Sequence, residues 1–330
     1  MHLTFLVILI MNNLILHHYP QSPVTEKVRV ILGMKSLTWD SVEIPRIPPK
    51  PDLMPLTGGY RRTPVMQVGA NIYCDSLCII RELERRFPES QNCAQNNHDI
   101  NQETGFQLVQ GLEWGLSRWT DGPMFTNAIT VVLGSAKELP KDFASDRVRL
   151  YFGPDYNLVD LQKKVQESAV QLSVQFGWIE NQLVNAGEFL SGNHPGLTDA
   201  LVYHLVWFVR GRWEAGPEML ARFPRLEKWE QMIRDLGHGT PLNMDSKQAL
   251  GIARENEPVI GEAINQHLKW NGLEPGCRVG VTPEGNGGDP VVNGTLHSIT
   301  EDTVCVLKNN SLVGNLAVHF PVSGYRIYGQ

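Results

Sequence analysis

The stretch that decides the fold runs from Leu16 to Leu32 and reads LHHYPQSPVTEKVRVIL. Its first residues are typical of a short buried strand, and a turn then leads into a helix that begins at Ser22-Pro23. Serine is a preferred N-cap residue, and proline is tolerated at the start of a helix because its missing N–H needs no partner there. The pattern therefore places a hydroxyl and several unpaired backbone N–H groups at the positive end of a helix dipole, which suits a thiolate or another small anion.

The length and charge of the chain narrow the classes of protein to consider. A chain of 330 residues with 42% hydrophobic and 19% charged residues is globular, and its length predicts two or three domains. The net charge of −6 is uneven: residues 14–88 carry ten Lys/Arg against seven Asp/Glu, a balance of +3, which leaves 19 against 28, or −9, elsewhere. The N-terminal segment is thus the better host for an anionic ligand. No basic stripe of the kind that nucleic-acid binding needs is present in the sequence.

The cysteines and the N-terminus bear on location. The sequence contains five cysteines, at positions 74, 78, 93, 277 and 305. Their number is odd, and no two of them form a CxxC motif. This pattern indicates a reducing compartment without a disulfide framework or a zinc site, so we expect a cytoplasmic protein. Residues 1–13 contain an apolar run that is too short to span a bilayer and lacks the basic residue and cleavage site of a signal peptide. We interpret them as an extension ahead of a start at Met11.

Residues 14–88 alternate between strand and helix signals. The helix that begins at Ser22 is followed by an alternating run at 39–44, which predicts a second strand, and by a loop rich in Pro and Gly. A third strand begins around Pro64, and a tight turn leads into a fourth. Asp75-Ser76 then caps a helix that ends before Pro88. The predicted order is strand, helix, strand, loop, strand, strand, helix.

Three motifs in this segment resemble the thioredoxin-like N-terminal domain of the glutathione transferase superfamily. SPVTEKVRVIL is similar to the Ser-Pro-Phe helix start of Ser-type transferases, and RRTPVM is similar to the Lys-Val-Pro-Val-Leu segment whose proline is cis. DSLCIIRELERRFP is similar to the Glu-Ser or Asp-Ser helix that ends in Phe-Pro. The three occur in the family's order and spacing. The resemblance implies a glutathione-binding domain over residues 14–88.

The rest of the chain divides into three further segments. Residues 89–100 are polar and rich in amides, and we predict a linker. Residues 101–265 carry helical periodicity and resemble the all-helical C-terminal domain of the same superfamily, with an irregular insertion expected between Asp121 and Phe152. Residues 266–330 contain short alternating runs separated by turns, which predict a small antiparallel β module, expected to form a barrel. The predicted fold class is an α/β thioredoxin-like domain, an all-α domain and a small all-β extension.

One position departs from the superfamily pattern. The buried helix of these proteins usually opens with a Ser/Thr capping box that ends in Asp. Here Asp199 is present, but Gly196 stands where the Ser or Thr is expected. Because Gly caps a helix only a few tenths of a kcal/mol less well than these residues, we expect the helix to form.

Ser22 is the predicted catalytic residue. A free thiol has a pKa of ~8.5, and lowering it by about two units takes roughly 2.7 kcal/mol. One hydrogen bond to a charged acceptor supplies ~1.5–3 kcal/mol, and a helix N-terminus adds ~0.3–1 kcal/mol. Donation by the Ser22 hydroxyl to sulfur, together with the helix end, is therefore sufficient to hold a thiolate. In this role the serine is a donor and is not itself ionised.

The resemblance implies further roles for glutathione-binding residues. Thr63, before a cis Pro64, would pair through its backbone with the cysteinyl part of glutathione. Asp75 would meet the γ-glutamyl ammonium, and Ser76 with the helix N-terminus would hold the γ-glutamyl carboxylate. Arg62 stands where the family often has Lys and would meet the glycyl carboxylate.

Each of these residues also has a plainer interpretation. Ser22 and the Asp75-Ser76 pair are consistent with helix caps alone, and Arg62 with a solvated surface charge. Tyr19 is a rival hydroxyl donor, although it lies before the turn. His17 and His18 form a tempting metal pair, but neighbouring residues of a strand point to opposite faces, so no metal is expected.

The sequence thus predicts a glutathione transferase that uses glutathione as co-substrate. The glutathione thiolate held at Ser22 would attack a small hydrophobic electrophile bound between the two domains. The candidate aromatic residues that line the apolar half of this cleft are Trp114, Trp119, Phe125 and Trp207. No nucleic-acid or membrane partner is expected, and a homodimer is. The alternatives are a glutathione-dependent isomerase or peroxidase, a non-catalytic glutathione-binding or interaction protein, and a thiol–disulfide oxidoreductase. The last of these would require Cys at position 22, where this sequence has Ser.

Overall fold

The computed structural model describes residues 13–88, 111–285 and 288–330. These residues form two compact units. The predicted N-terminal extension, apart from Asn13, and the predicted linker at 89–100 lie outside the described residues.

The first unit is rich in β structure. It contains the residues up to Thr25, Thr38–Glu82 and Pro241–Gln330. The second unit contains Glu26–Leu37 and the described residues between Leu83 and Thr240, which are mainly helical.

The N-terminal part of the β-rich unit is a thioredoxin-like arrangement. Strand β1 pairs in parallel with β2 and antiparallel with β3, and β3 pairs antiparallel with β4. The bounds are β1 Ile15–His18, α1 Pro23–Met34, β2 Thr38–Glu43, α2 Met54–Thr57, β3 Val65–Val68, β4 Asn71–Cys74 and α3 Ser76–Arg86. Every residue of β1, β3 and β4 is buried, which explains why these strands read as continuous rather than alternating patterns. The predicted element order is confirmed except in the loop between β2 and β3, which contains the four-residue helix α2.

The C-terminal part of the same unit adds six strands and two short helices. They are β5 Thr240–Asn243, α11 Ser246–Arg254, α12 Leu268–Asn271, β6 Arg278–Pro283, β7 Val292–Ile299, β8 Thr303–Asn310, β9 Gly314–Pro321 and β10 Tyr325–Gly329. Neighbours among β10, β6, β7, β8 and β9 pair antiparallel, as predicted. The predicted barrel stays a prediction. Strand β9 also pairs in parallel with β4, which gives one sheet of order β10-β6-β7-β8-β9-β4-β3-β1-β2-β5.

This pairing joins the C-terminal strands to the thioredoxin-like core. The Ala317 N–H donates to the Ala70 carbonyl at 3.1 Å, and β4 is thereby covered on the side that would otherwise be an exposed edge. The buried apolar residues of both parts form one cluster, which includes Ile15, Val65, Ile72, Val306, Val318 and Phe320. The C-terminal strands therefore share a core with the domain whose site they adjoin.

The helical unit is built around two long helices. Its bounds are α4 Gly111–Trp119, a π-helical turn Thr120–Met124, α5 Phe125–Gly134, α6 Lys141–Phe152, α7 Leu158–Ala186, α8 Leu197–Arg212, α9 Gly216–Leu220 and α10 Pro224–Asp235. Helix α8 is buried on nearly all sides, as its apolar sequence predicts. The expected irregular insertion between Asp121 and Phe152 is wrong, because α5 and α6 occupy most of it. The apolar residues of α5 are buried, and their burial accounts for this helix.

Helix α8 forms with Gly196 at its N-cap, as expected. At this end of the helix the Asp199 carboxylate accepts three hydrogen bonds. Its Oδ2 accepts from the Gly196 N–H at 2.8 Å, and its Oδ1 accepts from the Leu190 N–H at 2.9 Å and from Trp229 Nε1 at 2.7 Å. Three donors thus satisfy a carboxylate that burial would otherwise make costly.

Candidate functional site

Ser22 lies at the N-terminus of α1, directly before Pro23. Its Oγ accepts a hydrogen bond of 3.2 Å from the Thr25 N–H, and the residue is 2% exposed. Within the described ranges, no acceptor is recorded for the hydroxyl proton of Ser22. Since the cap uses a lone pair of the oxygen and donation uses its proton, the same hydroxyl is able to cap the helix and donate to a ligand.

The Thr63-Pro64 peptide bond is cis and directly precedes β3, as the sequence predicts. A buried lysine that sequence reasoning missed holds this segment. Lys50 Nζ donates to Thr63 Oγ1 and to the Arg61 carbonyl, both at 2.9 Å. A lysine between prolines in a loop reads as solvated, so no signal in the sequence indicated it.

Asp75 and Ser76 join β4 to α3. Asp75 has a φ of 80°, in the left-handed region that is uncommon for a residue other than Gly. Its Oδ1 accepts from the Leu77 N–H at 2.9 Å, and Ser76 is buried at the first position of α3. The pair therefore caps α3, and its backbone strain is of the kind found at ligand sites.

Arg62 forms an ion pair with Asp289 of the β6–β7 loop. Arg62 Nε lies 3.1 Å from both carboxylate oxygens of Asp289, and Nη2 lies 2.6 Å from Oδ2. Burial alone would lower the pKa of Arg62, but the hydrogen bonds and the charge of Asp289 outweigh it and raise the pKa. The structure thus places a carboxylate of the chain itself on the guanidinium that the resemblance assigns to the glycyl carboxylate.

Asp75 also contacts the C-terminal strands. Its Oδ2 lies 3.0 Å from the Tyr325 hydroxyl, which lies 3.2 Å from the Tyr60 hydroxyl. The pKa of each of these two phenols is raised well above the usual value for tyrosine, mainly by burial and secondly by the charge of Asp75. Both hydroxyls therefore remain protonated. The sequence carries no local signal for this cluster, because it depends on how β10 lies in the sheet.

The rival candidates near β1 have partners of their own. Tyr19 is buried, its carbonyl accepts from the Ser22 N–H at 3.1 Å, and the Arg46 guanidinium lies 6.0 Å from its ring. His17 Nε2 lies 2.9 Å from Gln67 Oε1, and His18 Nε2 lies 2.8 Å from Ser41 Oγ. Burial lowers the pKa of His17 to about 4 despite its bond to Gln67. In the part of the chain that the structure describes, no three His, Cys, Asp or Glu side chains form a group suited to a metal ion.

The predicted aromatic residues all lie in the helical unit. Phe125 is buried, with its ring 5.0 Å from that of Tyr151, and the Trp119 and Trp178 rings lie 6.0 Å apart. The Arg29 guanidinium lies 6.0 Å from the Trp207 ring. Trp114 is half-buried on α4.

Comparisons with known proteins agree with the fold. Residues 16–91 match the family described as glutathione S-transferase, N-terminal domain. The crystal structure of a GST-like protein from Pseudomonas syringae is 29% identical and superposes with a TM-score of 0.73, over 97% of this chain and 100% of that one. Residues 16–91 therefore form a glutathione S-transferase N-terminal domain, and the chain as a whole is similar to a GST-like protein. The family that the three sequence motifs predicted is thereby confirmed.

More distant transferases resemble a smaller part of the chain. Glutathione S-transferase III in its apo form is 20% identical with a TM-score of 0.45, over 67% of this chain and 91% of that one. A Tau class glutathione S-transferase from mango is 14% identical with a TM-score of 0.49, over 69% and 93%. Comparison with curated proteins gave no match. Across residues 13–88, 111–285 and 288–330, no helix has the length and hydropathy of a membrane span.

Proposed function

We propose that this superfamily member is a glutathione transferase in which Ser22 stabilises the glutathione thiolate for attack on a hydrophobic electrophile. One observation carries the proposal: Ser22 caps α1 through its oxygen and keeps a hydroxyl proton available for a sulfur atom. This serine lies in the segment that matches the family, whose members use glutathione. The hydrogen bond and the helix end together supply the roughly 2.7 kcal/mol that a thiolate at neutral pH requires.

The reaction needs no residue of the chain to form a covalent bond. The glutathione thiol gives its proton to solvent, and the resulting thiolate is held by the Ser22 hydroxyl. The sulfur electron pair forms a bond to an electrophilic carbon, and the leaving group departs with its own bonding pair. Isomerisation and peroxide reduction by glutathione begin with the same thiolate and remain alternative reactions of this site.

The tripeptide would lie along residues of the β-rich unit, to which Ser22 also belongs. We propose that the Thr63 backbone, turned by cis Pro64, pairs with the cysteinyl part. Asp75 and Ser76 would hold the γ-glutamyl ammonium and carboxylate, and Arg62 would meet the glycyl carboxylate. The strained backbone of Asp75 and the cap that it forms on α3 support its place in this set.

One observation favours a second candidate, a glutathione-binding or interaction protein without turnover. Arg62 and Asp75 each already contact a side chain of the C-terminal strands. These contacts allow binding, but they do not by themselves require catalysis.

The test measures glutathione binding by calorimetry and conjugation to a generic aryl halide, for the wild type and for Ser22→Ala. We expect wild-type conjugation, and a loss of about 30-fold in kcat/KM for Ser22→Ala, the effect of losing a hydrogen bond of about 2 kcal/mol while the helix end remains. Ser22→Thr, which retains a hydroxyl, should preserve part of the rate. Binding without any conjugation, isomerisation or peroxidase activity would select the second candidate, and unaltered activity in Ser22→Ala would remove Ser22 from the mechanism.

A cytoplasmic location and a homodimer remain parts of this proposal. The described cysteines are free thiols, which supports a reducing compartment. The RELERRF segment, most of which lies on α3, is the proposed dimer contact.

A further inference from the structure

Two side chains of the C-terminal strands contact residues that are proposed to hold glutathione. The hydroxyl of Tyr325, at the start of β10, lies 3.0 Å from Asp75 Oδ2. Asp289, in the loop before β7, forms a bidentate ion pair with Arg62. All four residues belong to the β-rich unit. The partners in each pair are separated by more than 200 residues in sequence, so the contacts depend on the fold of the whole unit, in which β9 pairs with β4.

The chemistry of the groups sets the direction of the Tyr325 hydrogen bonds. An ionised carboxylate only accepts, so Tyr325 donates its single proton to Asp75 Oδ2. The Tyr325 oxygen is then the acceptor for the proton of Tyr60, 3.2 Å away. Burial and the nearby carboxylate raise the pKa of both phenols, which keeps these protons in place. The result is a chain of two hydroxyls that ends on Asp75.

The two tyrosine hydroxyls hold the Asp75 carboxylate at Oδ2, and a backbone N–H holds it at Oδ1. Oδ1 accepts from the Leu77 N–H at 2.9 Å, and Oδ2 accepts from Tyr325. Both bonds stabilise the ionised form of the Asp75 carboxylate. A carboxylate held in this way is oriented to receive an ammonium group without having to reorganise.

The Arg62–Asp289 pair fixes a cation in the same manner. Asp289 binds the edge formed by Nε and Nη2, and its side chain is 5% exposed, whereas that of Arg62 is 28% exposed. For Arg62 Nη1, the described residues provide no recorded partner. The guanidinium is thus held through one edge and presents its other N–H groups to a ligand carboxylate.

We propose that Tyr325 and Asp289 are positioning residues of the glutathione site, contributed by the C-terminal strands. Tyr325 orients Asp75 toward the γ-glutamyl ammonium, and Asp289 orients Arg62 toward the glycyl carboxylate. The inference rests on the proposed function, since it assigns supports to the residues that bind the tripeptide. It gives the C-terminal strands a role at the site beyond extending the sheet.

The experiment compares Tyr325→Phe and Asp289→Asn with two matched controls. Tyr328→Phe removes an exposed hydroxyl from the same strand, and Asp302→Asn breaks another long-range ion pair of this unit, with Arg81 on α3. Calorimetry measures Kd for three thiols: glutathione, cysteinylglycine, which lacks the γ-glutamyl group, and γ-glutamylcysteine, which lacks glycine. Near-identical circular dichroism spectra establish that each variant is folded.

We expect Tyr325→Phe to raise the Kd of glutathione and of γ-glutamylcysteine by about fivefold and to leave the Kd of cysteinylglycine unchanged, because only the first two carry the γ-glutamyl group that meets Asp75. Asp289→Asn should raise the Kd of glutathione and of cysteinylglycine by about fivefold and leave the Kd of γ-glutamylcysteine unchanged. Neither control should change any Kd.

Three results would overturn the inference while the proposed function stands. They are unchanged glutathione binding in both variants, equal weakening of all three thiols, which indicates a general structural role, and tighter glutathione binding by Asp289→Asn, which would make Asp289 a competitor of the ligand. A wild-type protein that does not bind glutathione would overturn the proposed function, and this inference with it.

Discussion

The Ser22 oxygen accepts a hydrogen bond of 3.2 Å from the Thr25 N–H, so the proposed catalytic hydroxyl is also the cap of α1. A cap contributes to stability, whereas donation to a thiolate contributes to the rate. The two contributions are separable, because another helix of this chain has a side-chain cap with no proposed part in the chemistry.

Ser22→Ala is predicted to lower both stability and activity, and Asn157→Ala to lower stability alone. The Asn157 side chain caps α7 by accepting from the N–H groups of Val159 and Asp160. Loss of a cap costs about 1 kcal/mol, so both variants should show a similar fall in the free energy of unfolding by urea denaturation. Only Ser22→Ala should also lose conjugation activity. If Asn157→Ala loses as much activity as Ser22→Ala, the loss in both follows from destabilisation.

A second prediction concerns the ion pair between α1 and the π-helical turn. Lys27 Nζ lies 2.6 Å from Asp121 Oδ1, with the lysine side chain fully buried and that of the aspartate 25% exposed. Asp121→Asn leaves a buried cation without a charged partner. It should lower the free energy of unfolding by about 3 kcal/mol, near the low end for buried pairs because the aspartate is partly solvated.

The control for this prediction is the exposed pair Lys137–Glu214, in which both side chains are 78% exposed. Glu214→Gln should leave the urea midpoint unchanged within error, since solvent screens such pairs. The double change Lys27→Met with Asp121→Leu should recover much of the lost stability by removing the unpaired charge. Equal effects of Asp121→Asn and Glu214→Gln would contradict the assignment of cost to the buried lysine.

A third prediction concerns stability in acid. His17 has a pKa of about 4 in the folded protein, against 6.5 for an unperturbed histidine. Between these values the unfolded chain binds a proton that the folded chain does not, so the free energy of unfolding falls as the pH falls through this window. From pH 7 to pH 5 the contribution of His17 to this fall is about 2 kcal/mol. Burial also lowers the pKa of His204, which adds to the fall in the same direction.

His17→Gln should make the decline between pH 7 and pH 5 shallower by about this amount, because glutamine retains a donor for Gln67 and does not titrate. Urea denaturation at the two pH values gives the measurement. His194→Gln removes an exposed histidine and should leave the decline as in the wild type. An equally steep decline in His17→Gln would show that His17 does not contribute to acid sensitivity.

The features that the sequence predicted are local in the chain. The Ser-Pro helix start, the proline before β3 and the Asp-Ser cap each lie within a few residues, and the patterns of caps and turns identify them directly. The predicted order of strands and helices follows from the same short-range signals. The supports of the site were missed because they are long-range: neither Asp289 nor Tyr325 lies in a motif, and a lone acidic residue in a loop does not indicate which arginine it meets.

Two features that the sequence did not predict have related causes. Alternating runs predict strands but not their partners, so the sequence did not indicate the pairing between β9 and β4. The segment from Asp121 to Phe152 was expected to be irregular, whereas burial of its apolar residues makes most of it helical. In both cases tertiary packing determined the outcome.

A fourth prediction tests close backbone packing in the helical unit. Gly33 lies near the end of α1, where an added Cβ would lie 2.0 Å from the carbonyl oxygen of Gly237. Because the obstructing atoms belong to the backbone, a side chain cannot rotate away to make room. Gly33→Ala should therefore lower the free energy of unfolding by about 3 kcal/mol.

Gly115→Ala is the matched change on α4, at an exposed position where an added Cβ meets no atom within 4 Å among the described residues. Alanine is the better helix former, so this variant should gain up to about 1 kcal/mol in the free energy of unfolding. Urea denaturation of both variants makes the comparison. If Gly33→Ala lowers the free energy of unfolding and Gly115→Ala raises it, the loss in Gly33→Ala comes from the contact with Gly237. A stabilised Gly33→Ala would mean that α1 and Gly237 are not packed this closely.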